Sequence, residues 1–218
     1  MMALSDDVYN YLISNFKPNE PILLSEIKIP GLSDVSVRQQ VKKLTEKGQL
    51  KRFDTAVYYI PTTSIFQSGS CISLDDVIRK KYLIENNECC GYVGGMLFAN
   101  KLGITTQVPG LYEVYTNKAT TTYRETYLSD IRVIIRKPCR KIDQSNAPIL
   151  QFLDLLKEVT EIAEVEGLEL TNILIRYMKS RDITFEKLKP YLKYYPVVIY
   201  RNMYEVGLLQ GTKENPPA

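Results

Sequence analysis

The sequence predicts an α+β fold from three observations: helical periodicity near the N-terminus, β-rich runs in the middle of the chain, and helical periodicity again from Pro148 onward. The chain has 218 residues, of which 44% are hydrophobic and 24% are charged, the ordinary balance of a globular protein. This length fits one large or two small domains. We predict two, because a stretch rich in serine and threonine follows Pro61 and is typical of a linker.

The first sixty residues predict a series of short elements. In order, these are a helix over 5–16, a strand at 22–24, a helix at 26–29, a longer helix that begins near Ser36 and ends at Gly48, and two β-rich runs at 50–53 and 57–60. Ser36 and Gln39 have the spacing of a capping box, which favours a helix start there. Residues 54–56 join the two runs as a hairpin. This order is typical of a winged helix-turn-helix, which we predict for residues 1–63.

The longer helix has one apolar side and one polar side. With about 100° per residue, Val41 and Leu44 fall within about 40° of Val37, so this side faces the core. Between positions 38 and 52 there are six basic residues and one acid, Glu46. Glutamine can pair with adenine, arginine with guanine, and lysine with phosphate, so we expect this face to bind double-stranded DNA. The predicted contacts are Ser36, Arg38, Gln39, Lys42, Lys43, Lys47, Lys51 and Arg52. An ordinary solvated helix face and a winged helix used only for protein contacts are the alternatives.

Residues 68–218 predict a mixed α/β domain with a helical C-terminal part. Helices are expected at 73–86 and 92–101, strands at 112–116, 121–127 and 131–136, and four further helices from Pro148 to about Leu208. No apolar run is long enough to span a membrane, and the N-terminus lacks a basic segment followed by an apolar one. We therefore expect a cytoplasmic location and no membrane partner.

Several classes of enzyme and metal site are disfavoured by residues that the chain lacks. It contains no histidine, which excludes Ser–His and Cys–His pairs and histidine metal ligands. Its four cysteines form no CxxC pair, so reduced and mostly buried thiols are the favoured interpretation. The glycines at 91–95 do not have the spacing of a phosphate-binding loop. We predict no enzymatic activity, no cofactor and no metal site.

Acidic residues predict no active site either. Gly69-Ser70 followed by Asp75-Asp76 has some similarity to a nucleotidyltransferase site, but adjacent acids at a helix start favour the helix dipole instead. Asp130, Asp143 and Asp154 are isolated in the sequence. No pair of carboxylates can therefore be placed together from the sequence.

Three stretches resemble the AbiEi-like antitoxins of type IV toxin–antitoxin systems. They are VRQQVKKLTEKGQLKR at 37–52 closed by YYIP at 58–61, GYVGGMLFANKLGI at 91–104 with QVP at 107–109, and IRVIIR at 131–136 followed by the helix from 147. The resemblance covers roughly residues 5–160. One departure is the hairpin turn, where Ala56-Val57 replaces the glycine usual before the tyrosine of the wing.

The resemblance implies that the N-terminal domain represses the protein's own promoter. It also implies that the C-terminal domain neutralises a nucleotidyltransferase-like toxin encoded nearby. Two alternatives remain open at this point: a transcriptional regulator whose second domain senses a small molecule, and an enzyme fused to a DNA-binding module. The sixteen tyrosines suit either a partner-facing surface or the core.

Overall fold

The computed structural model describes residues 4–62 and 70–209, and it shows an α+β protein. The chain forms two compact units, the first ending at Lys81 and the second beginning at Tyr82. The predicted boundary at 63–68 assigned the helix after Ser73 to the second domain, whereas the structure places that helix in the first unit. Most of the predicted linker, residues 63–69, lies outside the described residues.

The described residues of the first unit form three α-helices and a small antiparallel sheet. The elements are α1 (Leu4–Asn15), β1 (Ile22–Leu23), a 3₁₀ turn (Leu24–Glu26), α2 (Asp34–Glu46), β2 (Lys51–Asp54), β3 (Val57–Tyr59) and α3 (Leu74–Ile78). The strands lie in the order β1-β3-β2. Val37, Val41 and Leu44 of α2 are buried against Val8 and Leu12 of α1, which confirms the predicted apolar side of α2.

Two predicted elements of the first unit are wrong in detail. The helix expected at 26–29 is only the 3₁₀ turn, because Ile27 adopts an extended backbone conformation and buries its side chain. The longer helix begins at Asp34 instead of near Ser36. Ser33 is its N-cap, since the Ser33 hydroxyl accepts a hydrogen bond from the Ser36 amide at 3.2 Å. The predicted capping box between Ser36 and Gln39 is therefore not the start of this helix.

The hairpin between β2 and β3 closes through a strained turn. Arg52 pairs with Tyr58 and Asp54 with Val57, with an irregularity between these two pairs. Ala56 in the turn has φ of 59°, a left-handed conformation that glycine adopts far more easily. The Ala56 carbonyl accepts a hydrogen bond from the Leu24 amide at 2.9 Å. This bond ties the turn to the end of β1.

The second unit combines a four-stranded sheet with five helices among its described residues. After a π-helical turn (Arg79–Leu83) that crosses the boundary, the elements are β4 (Ile84–Glu85), β5 (Glu88–Cys89), β6 (Gly91–Gly94), α4 (Gly95–Leu102), β7 (Leu111–Thr116), β8 (Tyr123–Leu128), β9 (Ile131–Arg136), α5 (Ala147–Ile162), α6 (Gly167–Ser180), α7 (Phe185–Leu192) and α8 (Val198–Glu205). The sheet order is β6-β7-β9-β8, and β7 pairs with β9 in parallel.

The predicted helix at 92–101 is wrong in its first part, which forms strand β6. Two glycines explain the difference, because this strand packs too closely on its neighbours for side chains. A Cβ atom at Gly91 would lie 2.6 Å from the Tyr82 carbonyl oxygen, and one at Gly94 would lie 2.7 Å from the Tyr115 ring. The predicted helix at 73–86 likewise ends early, at Ile78, and continues as the π-helical turn and β4.

Helix α5 is the centre of the second unit. It packs against β6, α4, α7 and α8. Phe152, Leu153 and Leu156 are completely buried in the largest core cluster, together with Leu174 of α6 and Ile199 of α8. Across residues 4–62 and 70–209, the structure contains no helix of the length and apolarity that a membrane crossing requires.

Replacing Ala56 by glycine is expected to raise the free energy of unfolding by about 0.5–1 kcal/mol. Glycine removes the strain of the left-handed conformation, and this gain exceeds the entropy that glycine adds to the unfolded chain. Ala56→Val should lower the stability, because a β-branched residue is poorly tolerated at positive φ. Urea unfolding followed by circular dichroism measures the free energy of unfolding of both variants. Equal effects of the two substitutions would contradict this account of the turn.

Candidate functional site

The exposed side of α2 is a polar surface with an uneven charge distribution. Arg38, Gln39, Lys42 and Lys43 are exposed on it, opposite the buried Val37. We call these four residues together with Val35 the α2 face. Within the described residues, the side chains of Arg38, Gln39 and Lys43 make no hydrogen bond or ion pair. Their polar groups are therefore available to a ligand without the loss of an existing contact.

The other residues predicted to contact DNA differ in their exposure and in the contacts that their side chains already make. Lys47 is exposed at the C-terminal end of α2, whereas Ser36 and Lys51 are half-buried. The Ser36 hydroxyl lies 3.0 Å from the Ser33 hydroxyl and so belongs to the helix cap. Lys42 is 3.9 Å from Glu46 on the next turn, a weak exposed pair.

Arg52 is exposed, but its guanidinium is held by the hairpin. Its Nε donates a hydrogen bond to the Asp54 carbonyl at 3.2 Å, and a terminal nitrogen donates one to the Thr55 hydroxyl at 3.2 Å. Arg52 therefore stabilises the turn and presents its remaining donors in a fixed orientation. The structure thus gathers the predicted residues on one helix and the adjacent hairpin, with Ser36 and Arg52 already engaged.

Val35 belongs to the same surface and was missed by the sequence prediction. Its side chain is 62% exposed in the first turn of α2. At about 100° per residue it lies about 160° from Val37, in the middle of the exposed side. The signal that could have found it is Ser33, because a helix capped by Ser33 includes Val35.

The second unit contains a polar cluster that the sequence did not predict. Asp154 is buried on α5, where it accepts a hydrogen bond from the Tyr92 hydroxyl and its Oδ1 lies 2.6 Å from Lys157 Nζ. The Tyr92 and Tyr115 rings stack with centroids 5.2 Å apart. Lys157 Nζ lies 5.4 Å from the centroid of the Tyr115 ring. Helix α5 and the sheet are therefore joined by charge and aromatic contacts as well as by apolar packing.

Glu113 on β7 extends this cluster. Its Oε1 accepts hydrogen bonds from the Tyr115 hydroxyl at 3.0 Å and from Arg136 Nε on β9. The structure brings together carboxylates that could not be paired from the sequence, because β7 and α5 place Glu113, Asp154 and Glu158 near one another. One signal was present in the sequence: Asp154 interrupts the apolar run Phe152–Leu156, where a charged residue needs a buried partner.

Burial determines the protonation of this cluster. It raises the pKa of Tyr92 well above the usual value, so the hydroxyl stays protonated and donates a hydrogen bond to Asp154. Burial also raises the pKa of Asp154, although Lys157 opposes this shift. Burial first, and the negative charge of Glu113 second, raise the pKa of Glu158 to about 7. Glu158 therefore exchanges a proton near neutral pH.

Comparison with known proteins leaves the interpretation to the residues themselves. The chain matches no protein-family model and no curated protein. Within residues 4–62 and 70–209, no three cysteine, aspartate or glutamate side chains are grouped so that they could hold a metal ion.

We expect Glu158→Gln to change how the stability depends on pH. The pKa of Glu158 in the folded protein, about 7, lies above its value in the unfolded chain. Between about pH 4.5 and 7 the folded protein therefore binds more protons than the unfolded chain does. The wild type loses stability as the pH rises through this range. The variant avoids this loss. It should match the wild type near pH 4.5 and exceed it at pH 8 by on the order of 1–2 kcal/mol, since Glu158 is partly exposed.

The exposed Glu161 on the same helix provides the matched control. Glu161→Gln should follow the wild-type curve at every pH when urea unfolding is repeated from pH 4.5 to 8. A Glu158→Gln curve parallel to that of the wild type would show that this carboxyl group is not desolvated in the folded protein.

Proposed function

We propose that the first unit is a winged helix-turn-helix that binds double-stranded DNA, with α2 in the major groove and the β2–β3 hairpin as the wing. The observation that carries the proposal is the α2 face, where Arg38 and Gln39 are exposed and unpaired within the described residues. The element order of the first unit, α1, β1, a short turn, α2 and the hairpin, supports it.

The chemistry of the α2 face suits base recognition. A glutamine side chain can form two hydrogen bonds with adenine, and an arginine can do the same with guanine. These roles fit Gln39 and Arg38, which lie in the N-terminal half of α2, the part of a recognition helix that contacts bases. Val35 adds an exposed apolar side chain that can contact the methyl group of thymine.

Lysines at the end of α2 and on the hairpin suit contacts with phosphates. Lys43 and Lys47 follow the base-contacting positions, and Lys51 begins β2. Such contacts strengthen binding to any sequence and make it dependent on salt. We propose that the protein represses transcription from its own promoter through an inverted repeat, as its resemblance to the antitoxin family implies.

Variants of the two groups should differ in their effect on DNA binding. Arg38→Ala and Gln39→Ala should each weaken binding to the operator by about 1–3 kcal/mol and relax the preference at one base pair. Lys47→Ala and Lys51→Ala should weaken binding to operator and random DNA alike, and should each reduce the salt dependence by about one unit of slope. Gel-shift titrations at several salt concentrations with both DNAs measure these effects.

Lys17→Ala is the control, because Lys17 is exposed but lies in the loop after α1, outside the α2 face. It should bind as the wild type does. If all four test variants behave alike, the division between base and phosphate contacts is wrong. If none of them weakens binding, α2 does not face DNA.

A second proposal concerns a protein partner of the second unit. We infer that this unit neutralises a nucleotidyltransferase-like toxin encoded beside the protein, as the resemblance implies. An exposed apolar stripe at α8 favours a protein contact: Val197, Tyr200 and Tyr204 are 80%, 47% and 62% exposed and are spaced three and four residues apart. This spacing puts them on one side of the helix, and exposed tyrosines are typical of protein interfaces.

The two proposals can be separated in the full-length protein. The double variant Tyr200→Ser/Tyr204→Ser should lose the ability to restore growth when the neighbouring gene is expressed, but should still repress a promoter fusion. Arg38→Ala/Gln39→Ala should show the reverse. Tyr127→Ser removes another tyrosine, 63% exposed on β8, and should keep both activities. A neighbouring product that is not toxic, or rescue that survives the α8 double variant, would contradict the second proposal.

A further inference from the structure

A cavity of about 550 Å³ lies in the second unit beside strand β6. Strand β6 is at the edge of the sheet, and Gly91, Tyr92 and Val93 line one wall of the cavity. Helices α4 and α6 provide the other walls, through Phe98 and Tyr177 among others. The volume falls within the range of sites for small organic ligands, roughly 300–1,000 Å³.

The walls of this cavity are held in place by packing and hydrogen bonds. The Tyr177 ring meets Phe98 edge to face at 5.3 Å and stacks on Phe152 at 5.8 Å. Its hydroxyl donates a hydrogen bond to Gln151 Oε1 at 2.8 Å, and Gln151 Nε2 donates one to the Val93 carbonyl at 2.7 Å. A ligand would therefore enter a preformed site, which reduces the entropic cost of binding.

The charge at the cavity is positive. Lys101 and Arg181 line it, and no aspartate or glutamate does. Within the described residues Arg181 has no carboxylate partner, and its guanidinium carbon lies 6.0 Å from the centroid of the Tyr177 ring. Burial raises the pKa of Tyr177 to about 12, so its hydroxyl adds no negative charge at neutral pH. Arginine remains charged at all physiological pH values and binds carboxylates with two parallel hydrogen bonds.

We propose that this cavity binds a small planar organic acid, with its ring against the apolar wall at Phe98 and its carboxylate at Arg181. The preformed aromatic wall recognises the ring, and the Arg181 guanidinium, which has no carboxylate partner among the described residues, selects an anion. This site is independent of the α2 face, and it involves neither DNA nor the toxin proposed above. It would make the second unit a receptor for a metabolite-sized ligand.

The test uses benzoate and 2-naphthoate as probes on the full-length protein. Saturation-transfer NMR and calorimetry should show saturable binding of both acids, and their neutral amides, benzamide and 2-naphthamide, should bind at least about tenfold more weakly. Arg181→Gln should reduce the affinity for the acids at least about tenfold and should leave the weak binding of the amides unchanged. This second readout separates loss of the charge from a general disturbance of the cavity.

Arg176→Gln is the matched control, because Arg176 is an exposed arginine on α6, the helix that Arg181 follows, and does not line the cavity. It should bind both acids as the wild type does, with an unchanged melting temperature. Three results would overturn the proposal: no saturable binding of either acid, equal affinity for acid and amide, or equal losses in Arg181→Gln and Arg176→Gln. Failure of DNA binding or toxin neutralisation has no bearing on this outcome.

Discussion

The second unit depends on the burial of α5 on nearly all of its sides. A helix at the surface of a protein buries one apolar stripe and exposes the rest. Helix α5 instead contacts β6, α4, α7 and α8, and its residues from Phe152 to Leu156 are all buried. Each neighbouring element therefore uses α5 as its packing partner, and loss of α5 would leave the sheet and the C-terminal helices without a common core.

Polar residues determine which neighbour contacts each side of α5. Asp154 faces the sheet and is satisfied by Tyr92 and Lys157. The buried Asn202 of α8 donates to the Leu156 and Lys157 carbonyls of α5 at 2.8 and 3.1 Å. A buried polar group that loses its partner costs more than an apolar contact of similar size, so these bonds disfavour a rotated or shifted α5. The apolar residues supply stability, and these few polar residues supply orientation.

The sequence predicted those elements whose apolar residues repeat with the period of one kind of secondary structure. Helix α2, strand β9 and the helices after Pro148 follow such patterns, and they form close to where they were expected. Strand β6 differs from the predicted helix, because its glycines are explained by the close approach of Tyr82 and Tyr115, which the local residue pattern does not reveal. The Asp154 cluster was missed for the same reason, since Tyr92 is 62 residues away. At the α2 face, the residue types were predictable, but the start of the helix and hence the position of Val35 depended on the Ser33 cap.

The Ser33 cap has a consequence for the length of DNA that the proposed recognition helix can read. A helix that begins at Asp34 is two residues longer at its N-terminus than one that begins at Ser36. At about 1.5 Å per residue this adds about 3 Å, close to the rise of one base pair, about 3.4 Å. The extra half turn carries Val35 and ends in Asp34, whose carboxylate is 3.1 Å from Lys28 and so is partly neutralised where it would approach the duplex. Under the proposed function, one serine hydroxyl thereby sets the number of base pairs that the helix can reach.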